Sequence, residues 1–570
     1  MRFEDISYKR PDIDGFEKKV SKLLGEFKNS KTFHEQKEII DQINSLRNKV
    51  LTMAMVGEIR GLINLKSDVY NEESKYINKK WPIYDLVGGN FYKELINSKF
   101  NKDIIDTYGE QLMNIAKSSI NTIREDVLED LELENKLQRD YTKTIGLAKI
   151  KYKGELKTLA QLKYFCSSED RVIRKEANEK KYELLEAISL ELDKILDSLI
   201  EVRSRIAKKL GYKSFVELAY ARLNRSGYTY KDIENFRNLT IKYIVPICND
   251  LKTSMQERLQ IDSLKYYDDE IDSIKYEQKD IKNTEWIKER FKIVCESISL
   301  ETKELFEVII QNNLMDLEAK EGKAKISMTT YLCDFKYPYI IASLTGIKKD
   351  FKTIAHEFGH AFQMYVFNEK NEVPEYILPT KEAAEFSSIA MEFLIWPYIN
   401  EVIDEAEVYK FNHLEEVIKW IPYRACVDEF QEYIYSKQKL TIKERKLKWI
   451  QLEKKYMPNL NYDGNKYLLQ GNFWQQQSHI FTLPFYYIDY ALAQICALQL
   501  WSICEEDNKR AWKVYSEVCK KGGSLSFLNL IKGTGISSPF EEDTFIDITK
   551  AINKWICDYK ILEKAFRIKV

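Results

Sequence analysis

Apolar residues recur along most of this chain at helical spacing. From about residue 11 to 140 the pattern repeats as successive amphipathic stretches. In KEIIDQINSLRNKVLTMAMV, for example, Ile39, Ile40, Ile43, Leu46, Val50 and Leu51 share one stripe. The period changes in 144–166, where GLAKIKYKG alternates and Gly154 follows, which predicts a short hairpin and a soft boundary near 145–150. Helical spacing returns from about 167 to 315, opening on SSEDRVIRKEA with a serine placed to cap it. Residues 323–346 break it again: they are β-branched and aromatic, contain Pro338 and end in Gly346, which predicts two short strands. Long helices are predicted from about Asp350 to Asn368 and from about Lys381 to Asn400. The rest is helical, broken by glycines at 522–523 and 533–535 that are candidates for mobile loops.

Composition sharpens this to a mainly helical body. Gly and Pro number only 20 and 11 in 570 residues, against a usual combined share of about 12%. That length predicts two to four domains or one large multilobed body. The 88 Lys and Arg balance 89 Asp and Glu, which argues against a general electrostatic role on nucleic acid or an anionic membrane. The nine cysteines form no CxxC and fit reduced thiols. The first residues contain no apolar signal core. The most apolar stretch, 481–504, is interrupted by Asp489, Gln494 and Gln499, which predicts a buried helix rather than a membrane span. A soluble cytoplasmic protein is expected.

Five histidines occur in the chain, and two of them lie in His356-Glu357-Phe358-Gly359-His360, an HExxH. Chance would produce fewer than about 0.01 such matches at these His and Glu frequencies. On a helix the two imidazoles share a face and can converge on one Zn²⁺, while Glu357 sits beside the open position and can accept a proton from an attacking water. A catalytic zinc needs a third protein ligand. Glu382, Glu385 and Glu392 in the next predicted helix lie close to one face, and spacing alone leaves all three open. His413 is the competing ligand, but within YKFNHLEEVIKW it reads as an ordinary half-exposed helix residue.

The blocks KKDFKTIAHEFGHAFQMY (348–365), EAAEFSSIAMEFL (382–394) and WQQQSHIFTLPFYYIDYALAQ (474–494) together resemble the thimet oligopeptidase and oligoendopeptidase F family. These are gluzincin-type zinc metallopeptidases, and the likeness is strongest to shorter bacterial oligoendopeptidase F-like members. Weaker matches extend it over about residues 150–545, including PYRACVDEFQEYIY at 422–435. The resemblance implies a mainly α, two-lobed body around a deep substrate channel, with a small β-sheet beside the HExxH helix. It implies an N-terminal helical region, 1–148, and a catalytic metallopeptidase domain, 149–570. By the same likeness Glu385 is the third ligand to one Zn²⁺ with His356 and His360, and Glu392 orients the site. His479 and, among Tyr486, Tyr487 and Tyr490, chiefly Tyr487 and Tyr490 would face the metal and stabilise the oxyanion.

The implied activity is zinc-dependent cleavage of internal bonds in short peptides, with Glu357 as general base and peptide backbone added to an edge strand at 328–334. The alternatives are a peptidyl-dipeptidase, which needs a positive group to hold a free carboxylate, and a non-catalytic helical peptide-binding protein. The chain departs from the family at Ser327–Tyr331 and at Ser343-Leu344-Thr345-Gly346. These departures touch peptide preference rather than the zinc site.

Overall fold

Long amphipathic runs with few breakers leave the described residues 74% helical, with only small sheets among them. The computed structural model describes residues 2–269, 271–272, 274, 283–345, 349–369, 371, 373–437 and 439–567. Gly346, the predicted end of the second strand region, and Lys348, the first residue of the motif block, lie outside the described residues.

Two hydrophobic cores organise the body. The first is built mainly by the N-terminal helices Ile13–Asn29, Phe33–Ile63 and Asp68–Ile96, whose apolar stripes bury Phe16, Ile40, Ile43, Phe91 and Leu95. A Thr32/Glu35 capping box starts the second of these helices. The second, larger core gathers most of the remaining helices around the sheet and the HExxH helix, with two small satellite clusters about Leu162 and Tyr467. The turn Pro374–Tyr376 joins the two cores. Its Tyr376 side chain is buried in the first core, where the hydroxyl accepts from Leu112 N at 2.8 Å and donates to Tyr108 O at 2.7 Å.

The predicted hairpin is present as β1 (Lys149–Tyr152) and β2 (Glu155–Thr158), antiparallel. The second sheet has three strands, β3 (Met315–Glu318), β4 (Met328–Leu332) and β5 (Tyr337–Leu344), in the order β3-β5-β4. β4 and β5 fall in the region predicted to be strand, whereas β3 lies at the end of a stretch expected to be helical. Ile340 donates its N–H toward Leu314 on the β3 side, so the flanking Tyr339 and Ile341 exchange bonds with Thr330 and Met328. By antiparallel alternation Thr329 and Tyr331 turn their peptide groups to the open edge of β4.

Three helix boundaries differ from expectation for local reasons. Asp170, not a serine, caps the helix Arg171–Lys209, accepting from Val172 N and Ile173 N. The helix begun at Lys381 ends at Leu394, because Pro397 follows and the chain tightens into a 3₁₀ segment, Trp396–Glu401. The apolar stretch 481–504 is not one helix: its first two residues close the short helix Ser478–Thr482, and the long helix begins only at Asp489. No described helix is long and apolar enough to cross a membrane. Gly522 and Gly523 are buried rather than displayed on a loop: a side chain at Gly523 would meet the carbonyl oxygens of Tyr376 and Leu378 at 2.6 and 2.8 Å.

Candidate active site

The HExxH sequence lies on the helix Asp350–Asn368, with the predicted bounds. Phe351, Ile354, Phe358, Ala361 and Phe362 are wholly buried on its apolar side, which fixes the helix rotation and turns His356 and His360 to the opposite, cleft side. The helix Lys381–Leu394 packs across it. The contact is possible because position 359 is glycine: a Cβ there would lie 2.5 Å from Ser387 O and 2.7 Å from Ser388 Cα. Tyr515 donates its hydroxyl to Ser387 O at 2.9 Å and stitches the same crossing.

That close approach delivers Glu385 to the two histidines. Its Oε2 is 3.6 Å from His356 Nε2 and 3.9 Å from His360 Nε2. One donor atom from each of the three lies within 4.8 Å of the others. A tetrahedral ion with bonds of about 2.0–2.1 Å sets its ligands roughly 3.3 Å apart, so a small contraction would suffice. A His₂Glu donor set is one used by catalytic zinc. The residues present therefore fit the ion, and among the described residues this is the one such cluster.

The three glutamates left open by spacing have separate surroundings. Glu385 joins the histidines. Glu392 is buried and binds His356 Nδ1 at 2.7 Å through Oε1. Glu382 is buried away from them, accepting from the Tyr228 hydroxyl. Burial opposes a charge on His356, but the bond to Glu392 and the charges of Glu392, Glu385 and Glu357 raise it to about 9. His360 has no such bond, and burial lowers it to about 4. Burial raises the Glu357 carboxyl above its ordinary value, against the pull of His356 and of the Thr329 hydroxyl. That hydroxyl donates to Glu357 Oε2 at 2.8 Å. Thr329 thus ties the candidate base to the open edge strand, a link with no signature in the sequence.

The third block forms the facing wall. His479 accepts at Nδ1 from the Gln477 amide at 2.7 Å, and Gln477 Oε1 accepts from Tyr423 at 3.2 Å. Nε2 of His479 therefore carries the proton. Burial, with the nearby Arg424, lowers His479 to about 4, so the ring is neutral at ordinary pH. Tyr487 stacks on His479 with centroids 4.6 Å apart. Tyr486 donates its hydroxyl to Glu385 Oε1 at 2.5 Å. Burial, followed by the charge of Glu385, raises both the Tyr486 and Tyr490 phenols far above their usual range. The tyrosines next to Glu385 are thus Tyr486 and Tyr490, while Tyr487 lies against His479 and Arg424.

Two further residues carried no usable sequence signal. His413, expected to be half-exposed, is 3% exposed and sits 2.8 Å from Glu392. The helix Ala406–Ser436 is buried on nearly all sides, so a polar residue there does not mark a solvent face. Arg424, on the same helix, lies over the rings of Tyr487 and Tyr490 at 5.8 and 5.3 Å. Its buried Nε and Nη1 have no hydrogen-bond partner. A cavity of about 450 Å³ adjoins this site, bounded by Arg47 and Tyr92 from the N-terminal helices, Thr329–Tyr331 from β4, and Glu375 and Lys381.

Comparison with known proteins gives the family. Residues 164–548 match the family described as Peptidase family M3, and residues 3–123 match the Peptidase M3 N-terminal domain. The chain belongs to peptidase family M3. It is 40% identical to a solved structure of PZ peptidase A with an inhibitor, covering 98% of this chain and 99% of that one with a TM-score of 0.91. A Bacillus anthracis structure provisionally named oligoendopeptidase F is 37% identical over 98% of this chain and 99% of its own, with a TM-score of 0.87. An oligoendopeptidase F homologue of Borreliella burgdorferi is 25% identical over 420 residues, 71% of this chain and 67% of the relative. The M3 chain described here is thus a peptidase of the oligopeptidase type, as its motif blocks led one to expect.

Proposed function

We propose that this M3 peptidase is a zinc-dependent endopeptidase that cleaves internal bonds of short oligopeptides in the cytoplasm. Residues 149–570 form its catalytic part and 1–148 a helical region that helps enclose the substrate. The observation that carries this reading is the convergence of His356, His360 and Glu385, with Glu357 beside them and hydrogen-bonded to the open edge strand. One Zn²⁺ held by those three residues would supply a Lewis acid for the scissile carbonyl and the attacking water.

This chain's own residues perform the other tasks. An extended peptide pairs with the outward peptide groups of Thr329 and Tyr331, which sets the carbonyl opposite the histidines. Glu357 removes a proton from the attacking water and returns it to the leaving amine, for which a raised carboxyl pKa is suited. His479 donates from Nε2–H, and Tyr490 from its hydroxyl, to the oxygen that gains charge. Tyr487 keeps the His479 ring in plane by stacking.

Exchange of Glu357→Gln tests the assignment. Hydrolysis of a quenched fluorescent peptide should fall by about 10²–10⁴-fold while bound zinc stays near one per chain. Full activity in that variant would sink the mechanism.

A second reading, release of C-terminal dipeptides, has one observation in its favour. Arg424 is a guanidinium beside His479 with no ion-pair partner among the described residues, and it could hold a free carboxylate. Digesting a mixed peptide library with free or amidated C-termini, with and without chelator, separates the two readings by the masses released. A non-catalytic peptide-binding role is disfavoured by the presence of the donor set together with Glu357.

A further inference from the structure

The metal-facing histidine is held by a chain of hydrogen bonds longer than a single carboxylate. Trp396, at the start of the 3₁₀ segment after the Glu385 helix, donates Nε1–H to His413 Nδ1 at 3.0 Å. His413 Nε2 lies 2.8 Å from Glu392 Oε2, and Glu392 Oε1 lies 2.7 Å from His356 Nδ1. An indole nitrogen can only donate, so His413 Nδ1 must accept. A neutral imidazole that accepts at Nδ1 carries its proton on Nε2, and that proton points at Glu392. Both oxygens of this buried carboxylate are then satisfied by N–H groups. The bond from His356 requires a proton on Nδ1, so Nε2, which points toward Glu385 and His360, is the nitrogen left to bind a cation once it gives up any second proton.

Packing keeps His413 from turning. The ring of Phe393 stacks on it at 4.9 Å, and those of Trp396 and Tyr409 lie 5.6 and 6.0 Å away. The residues in this chain come from the HExxH helix, the Glu385 helix with its 3₁₀ extension, and the helix Ala406–Ser436. It therefore registers three elements against one another at the metal-facing ring.

We propose that His413, with its tautomer set by Trp396, is a positioning residue that acts through Glu392 to hold His356 in the orientation and tautomer that bind the metal. This rests on the metal reading above, and it extends the machinery two residues beyond the carboxylate that touches a ligand. The His413 amide-like pattern, donor at Nε2 and acceptor at Nδ1, can be imitated by glutamine but not by phenylalanine.

The test pairs zinc affinity, by competition with a chromophoric chelator, with side-chain ¹H–¹⁵N correlation spectra of histidine-labelled protein, which five histidines keep readable. The wild-type spectrum should report Nε2–H at His413 and Nδ1–H at His356. His413→Phe should weaken zinc binding by about 10–100-fold, the usual range for losing an outer partner of a metal ligand. His413→Gln should stay within about threefold of wild type, and Trp396→Phe should fall between them, as expected for the loss of one outer partner.

An Nδ1–H tautomer at wild-type His413 would overturn the proposal. So would a folded His413→Phe protein that binds zinc as tightly as wild type, or a folded His413→Gln protein as weak as His413→Phe. Should His413→Phe fail to fold, unchanged zinc affinity in Trp396→Phe overturns it equally. A wild-type protein that binds no zinc would instead remove the functional reading, while the tautomers would still be decided by the spectra.

Discussion

Two imidazoles, the buried His413 and the half-buried His479, are prepared in the same way and face different surroundings. Each accepts a hydrogen bond at Nδ1, one from the Trp396 indole and the other from the Gln477 amide, so each presents Nε2–H. At His413 that proton meets a buried carboxylate and is spent on holding Glu392. At His479 it faces the cleft among tyrosines, with no protein acceptor among the described residues, and is free for a substrate oxygen. The difference teaches that one local device, a neutral imidazole with a fixed tautomer, serves structure or chemistry according to what lies beyond the proton. One side of the site is a set of fully partnered groups that shape a cation site. The other is a wall of donors whose partner arrives with the peptide.

The largest effect expected from this contrast is a separation of metal binding from turnover. His479→Phe keeps the stack on Tyr487 but removes the donor, and should lower kcat by about 10²–10³-fold with zinc affinity unchanged. Steady-state rates beside a chelator competition measure both. A parallel loss of zinc would place His479 with the metal side and break the comparison.

On the metal side, Gly359→Ala inserts a methyl group 2.5 Å from Ser387 O. Forcing the two helices apart should cost about 1–3 kcal/mol in stability and weaken zinc binding at the same time. Thermal melting and zinc titration should therefore move together here, in contrast to His479→Phe.

Acid sharpens the contrast. The unfolded His479 titrates near 6.5, and the folded one near 4. Between those values the unfolded chain binds a proton that the folded chain rejects, so stability is full above pH 6.5 and is lost as pH falls toward 4. His479 should contribute about 2 kcal/mol of that loss at pH 5. The stability difference between pH 7 and pH 5 should shrink by this amount in His479→Phe, read from denaturant unfolding. The smallest effect is expected for Tyr486→Phe, which removes the bond to Glu385 and should cost about 1 kcal/mol, or roughly fivefold in zinc affinity.

Much of the frame was legible beforehand. The period-3.6 stripes announced the HExxH helix with its observed bounds, and the alternation around Gly154 announced β1 and β2. What was misjudged had a common physical origin. The strand β3 has no periodicity that separates it from the preceding helix, and its sheet role comes from pairing with β5 far along the chain. His413 looked half-exposed because polar residues usually mark a solvent face, but its helix is enclosed by others. Glu382, Glu385 and Glu392 share one stretch of one helix, and no local rule distinguishes the member that meets the histidines from the one that meets Tyr228.

By itself the sequence determined the helical class, the two histidines with the neighbouring glutamate, and the pool of candidate third ligands. Those follow from periodicity and from chemistry encoded within one or two turns. Tertiary structure alone decided the rest: that Gly359 lets two helices touch, that Thr329 holds Glu357, and that Gln477 and Trp396 set the protons of two imidazoles. Each depends on atoms brought within about 3 Å from separate elements, and even the Gln477–His479 bond, two residues apart, takes its direction from Tyr423 on another helix; hydrogen-bond direction has meaning only at that range.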